Sequence, residues 1–354
     1  MTSVPLELSP LHAGESRGEP LVDTYGRVHR DLRISLTDRC SLRCTYCMPE
    51  QGVEWLARES ILSVDEIVRI ARITAESGIT TFRLTGGEPL LRRDLVDIVG
   101  RLAELKTTTG EPVQVAMTTN GLGLTKVLDQ LVSAGLSRLN ISLDTLRPDR
   151  FAELTRRDRH GEVIEAIKAA QASVLRPLKI NAVAMRGVND DEIVDLVQFA
   201  IDHDAQMRFI EQMPLDAAHT WDRSQMVTRE EILEALNTKF DLEPIPGRGG
   251  APAEKWRIDG TEHSVGVIAS VTAPFCGACD RVRLTADGQL RNCLFSTREF
   301  DLVSIIRGTS VHGPGTDDEI DELLRTAIAA KLPGHGINNP DFLQPARGMN
   351  AIGG

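Results

Sequence analysis

Six cysteines, arranged in two groups of three, are the side chains of this sequence most capable of chemistry. The first group lies in "TDRCSLRCTYC" and the second in "CGACDRVRLTADGQLRNC". Their positions are Cys40, Cys44 and Cys47 in the first group, and Cys276, Cys279 and Cys293 in the second. No cysteine lies outside these groups, and this pattern favours metal thiolates over a disulfide framework.

Two kinds of metal site are compatible with groups of three thiols. A structural zinc site closes with four Cys or His ligands, but no histidine lies at zinc-finger spacing from either group. An iron–sulfur cluster is also held by Cys thiolates, and a four-iron cubane held by three of them keeps one iron open to an outside ligand. The spacing therefore favours clusters with an open position, with zinc as the alternative.

Composition limits the class of protein and of partner. A chain of 354 residues, with 41 % hydrophobic and 26 % charged residues, is typical of a globular protein with a substantial core. The net charge of −11 and the low aromatic content of 4 % argue against nucleic acid as a partner, whereas a few placed arginines could bind a small anion. The sequence contains no apolar run of membrane-spanning length and no leader pattern, so we expect no membrane association and a reducing cytoplasm.

Six strand-like runs alternate with amphipathic helical patterns in the first two thirds of the chain. The runs are "LRISLT", "TTFRLTGG", "VQVAMTTNG", "RLNISLD", "KINAVAM" and "QMRFIEQM". The clearest helix begins with Ser63 as N-cap and Glu66 three residues later, and it stops at Gly78. Six strand–helix units predict an α/β fold with a parallel sheet, namely an incomplete (β/α)6 TIM-like barrel, because a closed barrel needs eight units. A doubly wound open sheet is the second choice.

The distinctive polar segments come directly after these predicted strands. They are the first cysteine segment, "TGGEP", "TTNG", "SLD" and "EQMP". Taken singly, each segment has an ordinary explanation, since Asn120–Gly121 could be a turn and Asp144 a helix cap. Because carboxyl ends of parallel strands gather at one edge of the sheet, their coincidence predicts an active site there.

The pattern changes after residue 220, and three regions are predicted. Residues 1–30 form a flexible N-terminal arm, 31–220 the partial barrel, and 221–354 a smaller α+β C-terminal domain that covers the open side of the barrel. In the last region "RVRLTADGQLRNCLF" predicts a hairpin turning at Asp287–Gly288. Arg281 and Arg283 would share one face of its first strand, directly after a cysteine.

These motifs together resemble a known family. Cys40-x3-Cys44-x2-Cys47, with Tyr46 before the last cysteine, is similar to the signature of the radical S-adenosylmethionine (SAM) enzymes. "RISLTDRCSLRCTYCMP", "RLTGGEPLLR", "TTNG", "CGACDRVRLTADGQLRNCLF" and the terminal "GMNAIGG" resemble the GTP 3′,8-cyclase (MoaA) family, from about residue 31 to the end. Ser41 departs from the asparagine that is frequent in the family.

The resemblance implies a set of cofactors and site residues. The first cysteine group would hold a [4Fe-4S] cluster whose open iron binds SAM, and the second group would hold another whose open iron faces the guanine of GTP. The implied SAM contacts are Tyr46, Gly87, Ser142 and Met213. The implied GTP contacts are Arg33, Arg83, Thr118, Lys179, Arg281, Val282 and Arg283. The terminal Gly353 and Gly354 would reach into the active site, and Glu88 would either bind the methionine amino group of SAM or order its own loop.

The resemblance also implies a reaction and partners. Cleavage of SAM would give a 5′-deoxyadenosyl radical that removes the C3′ hydrogen of GTP, and that carbon would then attack C8 of guanine. The product is (8S)-3′,8-cyclo-7,8-dihydro-GTP, in the first step of molybdenum-cofactor biosynthesis. The implied partners are a small electron-donor protein and cyclic pyranopterin monophosphate synthase as the next enzyme, with the chain as a monomer or homodimer. The alternatives are a radical SAM peptide- or protein-modifying enzyme with an auxiliary cluster and a non-catalytic zinc protein.

Overall fold

A computed structural model describes residues 18–216, 220–308 and 313–353. Its centre is a parallel sheet formed by the six predicted strands, paired in chain order β1 to β6. These strands are β1 (Asp31–Ser35), β2 (Thr81–Thr85), β3 (Gln114–Thr119), β4 (Leu136–Ser142), β5 (Leu178–Ala184) and β6 (Ala205–Glu211). The α/β prediction is therefore confirmed, and each strand lies within one of the predicted runs or within two residues of it.

Helices connect these strands, as right-handed parallel crossovers require. They are α1 (Val64–Glu76), α2 (Leu95–Ala103), α3 (Leu128–Ser133), α4 (Pro148–Thr155), α5 (His160–Ala172) and α6 (Ile193–Asp202). The predicted capping box of α1 is present: Ser63 Oγ accepts from the Glu66 backbone N–H, and Glu66 Oε2 accepts from the Ser63 N–H at 2.7 Å. The apolar face of α1 is buried, with Ile67, Ile70 and Ile73 at most 1 % exposed.

The last third of the chain extends the same sheet at both of its edges. Its elements are α7 (Arg229–Asn237), β7 (Leu242–Ile245), β8 (Glu254–Ile258), β9 (Ser264–Ile268), β10 (Arg281–Leu284), β11 (Gln289–Arg291), β12 (Phe300–Asp301), α8 (Leu302–Arg307), α9 (Asp317–Ala329) and α10 (Met349–Ile352). β9 pairs in parallel with β6, and β10 pairs in parallel with β1. The order across the sheet is β12-β11-β10-β1-β2-β3-β4-β5-β6-β9-β8-β7. The C-terminal strands thus continue the barrel sheet, and the division at residue 220 stays a prediction.

The sheet curves around an interior space. Side chains from β1 to β6, β9 and β10 all line one cavity, which a flat sheet could not achieve. The predicted hairpin is also present, since Leu284 pairs with Leu290 and Gly288 adopts a φ of +78° in the turn. None of the helices in the described ranges is long and apolar enough to cross a membrane.

The prediction of a flexible arm up to residue 30 is wrong for its last part. Leu21 is 1 % exposed and its backbone N–H donates to Ser77 O at 3.0 Å. The backbone N–H of His29 donates to Leu21 O at 2.9 Å, so the segment folds back on itself against the barrel. Its glycines and charges indicated a loose chain, but the apolar side chain of Leu21 and the buried His29 anchor it. Residues 1–17 lie outside the described residues.

Candidate active site

All six cysteines line a single cavity inside the curved sheet. Its empty volume, counted out to its open mouth, is about 2050 Å³. The first cysteine group lies in the loop after β1, and the second lies on the loop before β10 and just after β11. All six thiols are free, and β10 pairs directly with β1, so sequence segments more than 200 residues apart face the same space.

Two glycines allow the loop after β2 to pack tightly on the first cysteine loop, residues 38–47. The backbone N–H of Gly87 donates to Thr37 O at 2.7 Å, and that of Glu88 donates to Arg39 O at 2.8 Å. A Cβ atom added to Gly87 would lie 2.3 Å from Arg39 O, a distance that real side chains do not tolerate. The "TGGEP" segment therefore fixes the position of the cysteine loop through direct backbone contact.

We expect Gly87→Ala to lower the free energy of unfolding by about 2–3 kcal/mol, because backbone rather than a flexible side chain must move. SAM binding should weaken with it, since the cysteine loop shifts. Denaturant unfolding of the purified protein measures the first effect. Gly161→Ala is the matched control: its Cβ would meet nothing within 4 Å at the start of α5, so stability should be unchanged or slightly higher. Equal stability of both variants would contradict this explanation.

Glu88 orders the loops after β2 and β3. Its Oε1 accepts from Leu90 N at 3.0 Å and from Thr119 Oγ1 at 2.6 Å, while its Oε2 accepts from Asn120 N at 2.7 Å. Burial raises the pKa of this carboxyl to about 7, although the three hydrogen bonds oppose the shift. Both carboxylate oxygens accept hydrogen bonds from the protein. Of the two roles that the sequence suggested for Glu88, SAM binding and loop ordering, the geometry therefore supports loop ordering.

Asp144, which the sequence marked only as a possible helix cap, fixes the aromatic residue of the cysteine motif. Tyr46 donates its hydroxyl to Asp144 Oδ2 at 2.8 Å, and the Val183 N–H donates to Asp144 Oδ1 at 2.8 Å. Burial raises the pKa of Asp144 to about 6, against the lowering effect of these two bonds. The sequence signal for this role was the position of Asp144 just after β4, two residues beyond the predicted SAM contact Ser142.

The four residues predicted to contact SAM all line the cavity. Tyr46 and Gly87 lie on the loops after β1 and β2, and Ser142 ends β4. Met213 follows β6 and packs against a small apolar cluster that includes Leu215 and Phe295. The structure therefore brings the predicted SAM contacts to one cavity.

The predicted arginines form a row of like charges across three neighbouring strands. Arg33 in β1 lies directly opposite Arg83 in β2 and Arg283 in β10. Burial is the main cause of a lowered pKa in all three, and for Arg283, where the charge of Arg281 adds to it, the value falls to about 10. Arg33 Nε, Arg83 Nη1 and Arg281 Nη2 are buried with no hydrogen-bond partner among the described residues. Like charges opposite each other destabilise a sheet, so this row fits an anion that bears several charges.

Two further arginines belong to the same cluster, and the sequence analysis missed both. Arg208 in β6 lines the cavity, and its pKa falls to about 10 because of burial and the charges of Arg83 and Arg138. Arg138 in β4 has its Nε buried and unpaired in the described structure. The available signal was alternation along the strand: Arg138 shares a strand face with Asn140, which lines the cavity.

The remaining predicted GTP contacts divide into three cases. Thr118 lines the cavity. Lys179 is 9 % exposed and lies two residues before Asn181 on the same face of β5, towards the amino end of the strand. The side chain of Val282 alternates to the other face of β10, where it is 2 % exposed and packs in the apolar core, so a contact of Val282 with GTP would involve its backbone and stays a prediction.

The C-terminal segment reaches the cavity, which Met349 and Asn350 line. Arg283 Nη1 donates to Gly353 O, and Asn350 Nδ2 donates to Asp38 O at 3.2 Å. Gly353 has a φ of +84°, and a Cβ there would lie 2.6 Å from Thr85 Oγ1, so glycine is required. The prediction that the tail reaches the active site is supported for Gly353, and Gly354 lies outside the described residues.

The thiols fit iron–sulfur clusters better than zinc. Burial raises the pKa of Cys44 well above its ordinary value and that of Cys47 to about 12, so thiolates there need the positive charge that a metal centre supplies. Burial also opposes ionisation of Cys279, but nearby cationic side chains outweigh it and lower its pKa to about 7. His335 is the histidine found among the described lining residues, and both ring nitrogens are hydrogen-bonded, to Ser270 O at 2.9 Å and to Ile337 N at 3.1 Å. It therefore cannot close the second group into a four-ligand zinc site.

Comparison with known proteins agrees with this geometry. Residues 34–200 match the family model of the Radical SAM superfamily, and residues 205–337 match the one described as Molybdenum Cofactor Synthesis C. The chain is 55 % identical over 337 residues to GTP 3′,8-cyclase of Streptomyces coelicolor, covering 94 % of this chain and 96 % of that protein. It is 52 % identical to the Corynebacterium glutamicum enzyme of the same name, covering 94 % of this chain and 89 % of that protein.

Solved structures share the fold at low identity. The crystal structure of Streptococcus suis SuiB aligns with a TM-score of 0.56 and 14 % identity, covering 88 % of this chain and 68 % of that one. Native anSMEcpe with bound AdoMet also aligns with a TM-score of 0.56 and 14 % identity, covering 87 % of this chain and 82 % of that one. These two likenesses concern the fold alone, and the family follows from the far higher identity to the Streptomyces protein. The chain belongs to the GTP 3′,8-cyclase family of the radical SAM superfamily.

Proposed function

We propose that this protein converts GTP and SAM into (8S)-3′,8-cyclo-7,8-dihydro-GTP, 5′-deoxyadenosine and methionine, the first step of molybdenum-cofactor biosynthesis. The observation that carries the proposal is the single cavity that both cysteine groups and the buried arginine row share. The relatives named GTP 3′,8-cyclase support it over nearly the whole chain. A cavity with cluster ligands on two sides, and with arginines on the strands between them whose buried N–H groups still lack hydrogen-bond partners in the described structure, suits a nucleoside triphosphate.

The cofactors are SAM and two [4Fe-4S] clusters. The six lining thiols would hold the clusters, three thiols to each, with Cys40, Cys44 and Cys47 for the SAM cluster and Cys276, Cys279 and Cys293 for the other. When bound, the first cluster and SAM together supply the radical that removes a hydrogen atom from the substrate. The polypeptide binds and orients the reactants and keeps water away from them.

Positioning is the main task of the chain's own residues. The ribose carries several hydrogens, and only the one on C3′ leads to the product. Arg33, Arg83 and Arg283 would hold the triphosphate on one side of the cavity, while Tyr46, fixed by Asp144, would hold SAM on the other. Groups held in this way give effective concentrations far above those in solution, and a shift of about 1 Å can reduce the rate about 100-fold.

GTP binding should take up a proton at Lys179. Burial, then Arg208, Arg138 and Arg83, lower its pKa to about 7, so at pH 8 the amine is largely neutral. An arriving triphosphate raises that pKa and draws in about one proton. Anaerobic calorimetry at pH 8, in two buffers of different ionisation enthalpy, measures this uptake. Lys179→Met should abolish it, and identical uptake by both proteins would contradict the assignment.

The same shift has a consequence for stability without GTP. The folded pKa of Lys179 lies below its ordinary value of 10.5, so the unfolded chain binds more protons between the two values. Stability of the GTP-free protein should therefore rise as the pH increases from about 7 towards 10.5, and Lys179→Met should remove this part of the rise.

The decisive experiment incubates the reduced, anaerobic protein with SAM and GTP and identifies the nucleotide product by mass spectrometry and NMR. We expect the cyclised nucleotide with 5′-deoxyadenosine in equal amount. Arg83→Met should retain both clusters and lose most of the product. Formation of 5′-deoxyadenosine in response to a peptide but not to GTP would overturn the proposal in favour of a peptide-modifying enzyme.

Three statements about the cellular context belong to this proposal. The net conversion consumes two electrons and a proton, one electron to cleave SAM and one to reduce the nucleotide radical that remains after C3′ attacks C8, so we expect a small electron-donor protein. The cyclised nucleotide must pass to a second enzyme, which we expect to be cyclic pyranopterin monophosphate synthase. A reducing cytoplasm is the expected location, because thiol-held clusters require cysteines that stay reduced.

A further inference from the structure

A buried lysine lies directly behind the second cysteine group. Lys331, just after α9, is 4 % exposed, and its ammonium donates to Arg281 O at 2.7 Å and to Cys279 O at 3.3 Å. The same nitrogen lies 3.5 Å from Cys279 Sγ, within hydrogen-bond distance for sulfur. Its fourth contact is His29 Nε2, at 3.1 Å.

The histidine in this contact is neutral. Burial and the charge of Lys331 lower the pKa of His29 to about 3, and a neutral imidazole can accept a hydrogen bond from the ammonium through Nε2. Asp23 approaches His29 at 3.9 Å, but its carboxylate is paired with Arg27 Nε at 2.5 Å. His29 therefore orients the ammonium of Lys331 without neutralising it.

The Lys331 ammonium faces the sulfur of a proposed cluster ligand rather than a carboxylate. Its contacts in the described part of the chain are carbonyls, an imidazole and a thiol rather than a carboxylate. A fully buried ammonium without a paired carboxylate is unfavourable unless a negative group is present, and cysteine ligands of a cluster are such groups.

We propose that Lys331 is a positioning residue for the second cluster. The Lys331 ammonium donates to Cys279 Sγ and raises the reduction potential of that cluster. The inference rests on the assignment of Cys276, Cys279 and Cys293 made under the proposed function. Hydrogen bonds to sulfur, net charge and solvent exposure set cluster potentials. A positive charge at hydrogen-bond distance stabilises the reduced cluster, which carries one more negative charge, and a buried site screens this effect little.

The test is a potentiometric titration of the anaerobic holoenzyme, followed by electron paramagnetic resonance. The signal of the second cluster is identified as the one that a Cys276→Ala variant lacks. Lys331→Met should shift the midpoint of that signal to lower potential and leave the first cluster unchanged, whereas Lys331→Arg should keep most of the wild-type value. Lys168→Met, on the exposed face of α5, removes a lysine charge far from the site and should shift neither midpoint.

Each outcome of these measurements either supports or overturns the role proposed for Lys331. Selective loss of the second cluster from Lys331→Met, with an unchanged melting temperature and retention in Lys331→Arg, also supports the proposal, because the thiolate then lacks its partner charge. An unchanged midpoint in Lys331→Met overturns it. Loss of both clusters and of thermal stability in both variants overturns it too, since the role would then be packing. If the wild-type protein holds only one cluster, the proposed function itself fails, independently of Lys331.

Discussion

Cys293→Ala is expected to lose GTP cyclisation by at least about 100-fold while the protein keeps its first cluster. Cys293 follows β11, and the hairpin that β10 and β11 form brings it to the cavity wall shared with Cys276 and Cys279. Without its thiolate the second cluster has too few ligands, and the substrate loses that side of its binding site. Iron content should fall from about eight to about four per chain.

The SAM half of the site should survive this change. Slow formation of 5′-deoxyadenosine, uncoupled from GTP, is the expected activity of Cys293→Ala. The reciprocal variant Cys47→Ala should retain the other four irons and GTP binding, but no SAM cleavage. Three quantities are measured on the same samples: the iron content, the 5′-deoxyadenosine formed, by chromatography, and the cyclised product. Undiminished GTP conversion by Cys293→Ala is the result that the site assignment does not permit.

Removal of Gly353 and Gly354 should abolish cyclisation, again by at least about 100-fold, without loss of either cluster. Gly353 O accepts a hydrogen bond from Arg283, so the tail fixes one arginine of the row that is proposed to hold the triphosphate. Truncation frees that guanidinium and opens the cavity beside Thr85. The measurement compares product formation, iron content and SAM binding in the truncated and full-length proteins.

Gly353→Ala separates the role of the tail's conformation from its length. The φ of +84° is unfavourable for alanine, and the added Cβ would meet Thr85 Oγ1 at 2.6 Å. This variant should therefore also lose activity, although its chain length is unchanged. Ala351→Gly, two residues earlier at a half-buried position of α10, serves as the control and should remain active. Full activity of the truncated protein would show that the tail has no part in the reaction.

The central strands and the helix caps could be predicted because their signals are local. Apolar residues at alternate positions mark β1 to β6, and the Ser63–Glu66 pair marks the start of α1 within four residues. The cysteine groups and the "TGGEP" segment were also recognisable, since few other roles require three close thiols or adjacent glycines at a strand end. Local spacing thus identified the chemistry of the site.

The rest of the site depends on contacts between distant parts of the chain. Nothing near β9 or β10 in sequence indicates that they pair with β6 and β1, because parallel pairing leaves no turn signal. Arg138 and Arg208 resemble ordinary surface charges until the folded sheet turns Arg208 into the cavity and buries the Nε of Arg138. Lys331 likewise appears at the end of an acidic amphipathic helix, and it is buried by two segments distant in sequence, the N-terminal segment around His29 and residues 279–281.

The central claim is that each group of three thiols leaves one iron free to bind a different small molecule in a shared cavity. Mössbauer spectroscopy of the anaerobic ⁵⁷Fe-labelled protein tests it most directly. SAM should alter the spectrum of a single iron in one cluster, and GTP should alter a single iron in the other, because each open position takes its own ligand. Spectra that neither compound changes, or that show four thiolate-ligated irons in each cluster, would contradict the account.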